Sequence, residues 1–248
     1  MSGDLSPAVR QELDKVAALL DESKYQHQLV ESLPEGVSLE RFTRTAKNAI
    51  QTNPDLLQAD RLSLFLAVKL CAKDGLLPDG REAALVKVGK KVAYWPMIGG
   101  LRKKAAECGW ALEARVVYIN DEFRYEAGSS PHIHHVPVEL GDERGDPIGA
   151  YAIATNIRTG MKMVGTPMTV AEIEAVRATS RAGQSEYGPW VKWWDRMAEK
   201  TVARRLWATL PLAYTPSRAG RVFDPEVEEA VSDTPEVAGL EPVAEIVE

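Results

Sequence analysis

Cysteine is scarce, with two thiols, Cys71 and Cys108, in 248 residues. They form no CxxC pair and no disulfide framework, so the chain reads as a reduced cytosolic protein rather than a stapled secreted scaffold. Histidine is sparse as well, and three of the four fall in one run, His132, His134 and His135. No apolar run approaches the ~20 residues of a bilayer-spanning helix, and MSGDLSPAVRQELDK lacks a signal-peptide pattern. Also missing are G-x-x-x-x-G-K-[ST], G-x-S-x-G and H-E-x-x-H. Val88-Gly89-Lys90-Lys91 lacks the earlier glycine and the hydroxyl that a phosphate-cradling loop requires. These absences argue against a nucleotide hydrolase and against nucleophilic catalysis, so no catalytic residue is expected.

What is present suits a globular chain: 45% hydrophobic and 27% charged residues are ordinary proportions. The net charge of −6 is unevenly placed. Residues 216–248 hold nine acidic and two basic side chains, which leaves residues 1–215 at +1. A near-neutral body with basic stripes and an acidic tail is compatible with nucleic-acid binding.

Ser6-Pro7 opens a helix with Val9, Leu13, Val16, Ala17 and Leu20 on one face. Tyr25 to Gly36 reads as a linker or arm. A second helix runs from Ser38 to Asn53-Pro54, and a third from Asp60, a good N-cap, to Gly75, a good C-terminal stop. Ala83–Val88 and Val92–Trp95 form a hairpin around Gly89. Gly99-Gly100 opens a helix that closes at Gly109. Ala111–Ile119 is the clearest strand, and Glu122–Glu126 looks like its hairpin partner. His132–Gly149 is polar and reads as a loop. Ala150–Ile157 and Met161–Thr166 form a hairpin around Arg158-Thr159-Gly160. Thr169 and Glu172 make a capping box for a helix ending near Ser180. The pattern is α+β: a small, mostly antiparallel sheet of about five strands packed with helices. Three segments follow: residues 1–33 as N-terminal helix and arm, a candidate oligomer contact; 34–215 as a core; and 216–248 as an acidic tail expected to be disordered.

The last long helix is expected over Gly188–Pro211. Pro189 suits its first position. Lys192, Arg196, Lys200 and Arg204 recur every four residues, with Arg205 beside the last, and so form one cationic ridge. Trp190, Trp194 and Met197 lie on a neighbouring stripe. The ridge is either a solvated face or a surface for a polyanion. Two further spots carry candidate chemistry. The helix start at Gly99-Gly100, with Lys90, Lys91, Arg102, Lys103 and Lys104 close in sequence, is either a phosphate site or a close-packing point. Tyr94 and Trp95 either stack on bases or belong to the core. His132 and His134 alternate and so share a side if extended, which would let them share a metal, but no further spaced ligand set accompanies them.

The run NPDLL (53–57), GLLPDGREAALV (75–86), YWPMIGGLRKKAAECG (94–109), the motif Asp121, Glu122, Phe123, Tyr125, and GPW…M-KTV-RRL…LP (188–211) resemble the RecT family of phage-type single-strand annealing recombinases. The similarity runs in order from about residue 34 to residue 212 and does not cover the tail. It implies ATP-independent binding of single-stranded DNA and annealing of complementary strands in homologous recombination. No cofactor is implied, with Mg²⁺ at most an assisting ion. It further implies a homo-oligomeric ring or filament and a basic groove continuous between subunits. The implied partners are single-stranded DNA and annealed duplex, an exonuclease and the host single-strand binding protein. The implied location is the cytoplasm of a bacterial host, as a phage or prophage protein, away from membranes.

On this reading the phosphate contacts fall to Lys91, Arg102, Lys103, Arg177, Lys192, Arg196, Lys200, Arg204 and Arg205, with Tyr94 and Trp95 as candidate stacking residues and no metal ligand. Val191-Lys192-Trp193-Trp194 is more aromatic than the family pattern at this point. The competing readings are a metal-dependent phosphodiesterase using the His132/His134 loop and a passive single-strand coating protein.

Overall fold

The computed structural model describes residues 6–180, 183 and 186–212. It divides into two compact units, residues 1–100 and 101–215, with the boundary inside one helix. The acidic tail expected over 216–248 lies outside the described residues.

The first unit is built on helices α1 (Pro7–Ala18), α2 (Ser23–Ser32), α3 (Leu39–Gln51) and α4 (Arg61–Lys73), followed by the hairpin β1 (Ala83–Val88) and β2 (Lys91–Pro96). The capping signals act as their chemistry requires. The Ser6 hydroxyl accepts from the N–H of Val9, Ser38 from Arg41, and the Asp60 carboxylate from Ser63 at 2.6 Å, each satisfying an orphan donor of the first turn. The arm expected over Tyr25–Gly36 is largely α2 instead, and it buries Leu29. Four residues separate α1 from α2, too few for the periodicity of either helix to stand apart. The apolar face of α1, with Leu13, Val16 and Ala17 buried, packs on α3 within its own unit.

The hairpin pairs Ala84 with Trp95 and Leu85 with Tyr94. Successive residues point to opposite faces, so Tyr94 is turned into the α4-backed core. It is 3% exposed, and its hydroxyl donates to Asp74 Oδ2 at 2.9 Å. This corrects the sequence expectation of Tyr94 as a stacking residue: the ring has no free face. Trp95, on the opposite face, is half-buried.

The second unit continues α5 (Ile98–Glu107) into β3 (Trp110–Tyr118), β4 (Glu122–Glu126), β5 (His132–Val136), β6 (Pro147–Asn156), β7 (Lys162–Val164), β8 (Met168–Thr169) and helix α6 (Val170–Thr179). A four-residue helix, α7 (Pro189–Lys192), then leads into α8 (Trp194–Trp207). The architecture is α+β, as expected, but its strands form three small antiparallel sheets rather than one. β6 is central in the largest, with β3 on one side and β7 and β8 on the other. β4 pairs with β5, not with β3. The polar stretch read as a loop from His132 therefore begins with a strand. Its polar residues are tolerated because this hairpin exposes one face, leaving alternate residues in water.

Along β3, Trp110, Leu112, Ala114 and Val116 are buried while Ala111, Glu113 and Arg115 are exposed. Across the register stand Ala154, Ala152 and Ala150, opposite Leu112, Ala114 and Val116. Helix α8 packs on these two strands with Ala198, Val202, Ala203, Leu206 and Trp207 buried. Small strand residues let its backbone approach closely. At Gly165 a Cβ would lie 3.3 Å from the Ala152 carbonyl and 3.4 Å from Leu206 Cβ.

Candidate nucleic-acid interface

The helix expected to run unbroken from Gly188 to Pro211 is interrupted at Trp193. Its backbone (φ −142°, ψ 58°) leaves the helical region and divides α7 from α8. The two tryptophans on either side of it are held by different partners. Trp190 is buried, with its indole N–H donating to Ser180 Oγ at 3.2 Å. The Trp194 indole N–H donates to Glu174 Oε1 on α6 at 2.6 Å. An unbroken helix sets residues four apart on one face. Trp190 and Trp194 are instead given to different partners.

Helix α8 is fixed at both ends. In its first turn Asp195 Oδ2 accepts from the Tyr118 hydroxyl on β3 at 2.6 Å. In its last turn the Trp207 indole N–H donates to the Leu101 carbonyl of α5 at 3.1 Å. These anchors set the rotation of the helix and so decide which cations face water.

Along the ridge the exposure changes. Lys192 is exposed on α7. The Arg196 side chain is 82% exposed, 3.7 Å from Glu199. Lys200 and Arg204 are half-buried. Burial lowers the pKa of Lys200, helped by the neighbouring Arg204 charge, and burial brings Arg204 down to about 10. Arg204 stays a cation at neutral pH, though poorly hydrated, and a phosphate beside it would offset that lost hydration. Arg205 is exposed, five positions from Lys200 and thus turned away from it. The single ridge of the sequence is therefore one edge of Arg196, Lys200 and Arg204, with Arg205 turned away from it and Lys192 on a separate helix.

Of the remaining cations assigned from sequence, Arg102 is exposed and Lys103 half-buried on α5. Arg177 on α6 pairs with Glu174 at 3.1 Å. Glu174 thus serves both Arg177 and Trp194. Lys91 is half-buried in the first unit. The start of α5 is a close-packing point: a Cβ at Gly99 would stand 2.6 Å from the Arg81 carbonyl, and one at Gly100 would overlap the Glu82 carbonyl. Those carbonyls account for both glycines.

The histidine run splits. His132 and His134 are exposed on β5, with His134 3.4 Å from Glu122. His135 faces inward. Its Nε2 is 3.0 Å from Asp121 and its Nδ1 3.0 Å from the Tyr151 hydroxyl. Among the described residues no three His, Cys, Asp or Glu side chains group to hold a metal.

Asp121 is the centre of a network that sequence reasoning missed. Its fully buried carboxylate accepts from Arg144 Nε at 3.1 Å and Arg144 Nη2 at 2.5 Å, from the backbone N–H of Tyr118 and of Val138, and contacts His135. Burial alone would raise its pKa. The Arg144 guanidinium, the Tyr118 N–H, His135 and the Val138 N–H outweigh burial and hold it well below the usual carboxylate range. The Arg144 guanidinium also lies 4.0 Å from the centre of the Tyr118 ring. Hydrogen bonds and this ring contact thus run from Tyr151 on β6 through the β4–β5 hairpin to Tyr118 and Asp195 on α8. Only the motif residues Asp121, Phe123 and Tyr125 hinted at it. No spacing in the sequence links Tyr118 to Asp195.

A sequence model described as the RecT family matches residues 40–237. Protein RecT of Escherichia coli (strain K12) is 32% identical over 235 residues, which cover 88% of this chain and 82% of that protein. These similarities make the chain a recombination protein, and it belongs to the RecT family. The family match extends past residue 212 into the acidic segment, further than the motifs alone had carried the resemblance.

Proposed function

We propose that the chain binds single-stranded DNA and anneals complementary strands without ATP, working as a homo-oligomeric ring or filament. Family membership supports this, and the structural observation that carries it is α8: a cation-bearing helix held at Asp195 and Trp207 so that Arg196, Lys200 and Arg204 follow one edge. Annealing requires two strands held close with phosphate repulsion relieved and bases exposed, and needs no bond-making group. Cations on a rigid element meet that need without sequence preference. In this reading Arg102, Lys103, Lys192, Arg196, Lys200, Arg204 and Arg205 contact phosphate, with Lys91 and Arg177 contributing. A partner exonuclease supplies the single strand, and host single-strand binding protein competes for it. Mg²⁺ assists by screening the two strands.

The test is fluorescence-quench annealing of two labelled complementary oligonucleotides by the purified protein, without ATP, with and without Mg²⁺. Acceleration over buffer that fades at high salt is the expected result. Tight binding without acceleration would reduce the protein to a coating module, and absence of binding would reject the reading. Each true phosphate contact replaced by Ala should lower the log-salt slope by about 0.7.

A further inference from the structure

Three tryptophans stand within five residues at the α7–α8 junction, and two of them are committed to the protein interior. Trp190 is buried and bonded to Ser180, and Trp194 is bonded to Glu174. Trp193 is 61% exposed. Its N–H donates to the Pro189 carbonyl at 2.8 Å and closes α7, while its carbonyl accepts from Met197 N–H at 3.1 Å and opens α8. In an uninterrupted helix Trp193 would share a face with Met197, Lys200 and Arg204, four, seven and eleven positions on. Those three are half-buried. The break takes Trp193 off that face and leaves its indole in water.

Its surroundings are specific. Lys192 precedes it and is exposed. Arg196 follows three positions later in the first turn of α8, with its side chain extended into water. Tyr187 and Val191, in the same segment, are also exposed. The result is an exposed aromatic ring flanked in sequence by two exposed cations. A polyanion with flat faces complements such a surface.

We propose that Trp193 is a base-stacking platform: an unpaired base lies on the indole face while Lys192 and Arg196 hold the adjoining phosphates. This rests on the DNA-binding reading above. Every base has a π-face, so stacking on an indole is tolerant of sequence, as annealing of arbitrary strands requires. It favours single strands over duplex, because a paired base is already stacked.

The test compares wild type, W193F, W193L and W193A, each confirmed to keep the wild-type melting temperature. Binding of a labelled oligo-dT is titrated by anisotropy across a salt series. W193A and W193L should bind from about fivefold to about a hundredfold more weakly, the range expected for loss of one stacked base. Their salt slope should match wild type, since no ion contact is lost. W193F should retain most of the affinity, and DNA should quench the indole fluorescence less in it than in wild type. Wild-type affinity in W193L would overturn the proposal. So would a DNA-free assembly that comes apart in W193A by sedimentation, which would make Trp193 a subunit contact. Failure of the wild-type protein itself to bind oligo-dT would reject the DNA-binding reading, and the platform with it.

Discussion

The hydroxyl of Tyr118 donates to Asp195 Oδ2 at 2.6 Å, joining the end of β3 to the first turn of α8 across 77 positions of sequence. Desolvation comes first among the reasons the phenol resists ionisation, and the hydrogen bond to Asp195 and that carboxylate's charge add to it, pushing its pKa up to about 12. The folded state therefore holds this proton more tightly than the unfolded chain, whose tyrosine ionises near pH 10. The contribution is fully present below about pH 10 and is lost as pH rises through about 12. Denaturant melts should show wild-type stability falling over that window, with a smaller fall in Tyr118→Phe. At neutral pH the same variant should lose about 1 kcal/mol and anneal more slowly, because the start of α8 is no longer pinned.

Asp121 has the opposite sign. Its folded pKa lies below the unfolded value of about 3.9, so its contribution is present above about pH 4 and disappears as acid brings the pH down through the folded value. Asp121→Asn removes the buried acceptor of the Arg144 guanidinium and of two backbone N–H groups, and because the Arg144 side chain is 37% exposed and stays hydrated the cost is about 1–3 kcal/mol. Urea melts at pH 7 and pH 3 should show a large loss for the variant at neutral pH and a smaller difference in acid. Equal curves for variant and wild type at pH 7 would contradict the network.

Gly165 tests whether the placement of α8 governs binding. A Cβ there would crowd the Ala152 carbonyl and Leu206. Gly165→Val should destabilise by about 1–3 kcal/mol through overpacking. Because it displaces the helix that carries the cations, it should also weaken binding to oligo-dT at temperatures where the protein remains folded, as anisotropy would reveal.

Tyr94 separates core from interface. Tyr94→Phe loses the hydrogen bond to Asp74 and leaves a buried carboxylate short of one donor. Thermal melts should show a loss of about 1–3 kcal/mol, while oligo-dT affinity stays at the wild-type value. A selective loss of affinity at unchanged stability would restore Tyr94 as a DNA contact.

Much of the local structure was legible because its causes are local. Ser6-Pro7, Ser38, Asp60 and the Thr169–Glu172 capping box mark helix starts through contacts within three residues. Gly89 turns the first hairpin at φ +58°. The Trp-rich cationic helix was legible in composition and position. Its break at Trp193 was not, because the break depends on Ser180 and Glu174, which take the indoles of Trp190 and Trp194. The pairing of β4 with β5 was misread for a similar reason. Alternation shows that a segment is a strand and does not name its partner.

The sequence by itself determined most of the element types, the α+β class, the uneven charge and, through ordered motifs, the family. Those properties rest on residue type and short spacing. Tertiary structure alone decided that Tyr94 is core, that Asp121 gathers Arg144, His135 and two backbone donors, and that the cationic ridge divides around α8 while Trp193 stays in water. Each of these depends on burial and on partners far away in the chain. Whether a ring or a charge meets solvent is fixed only when the helix carrying it is docked and its rotation set.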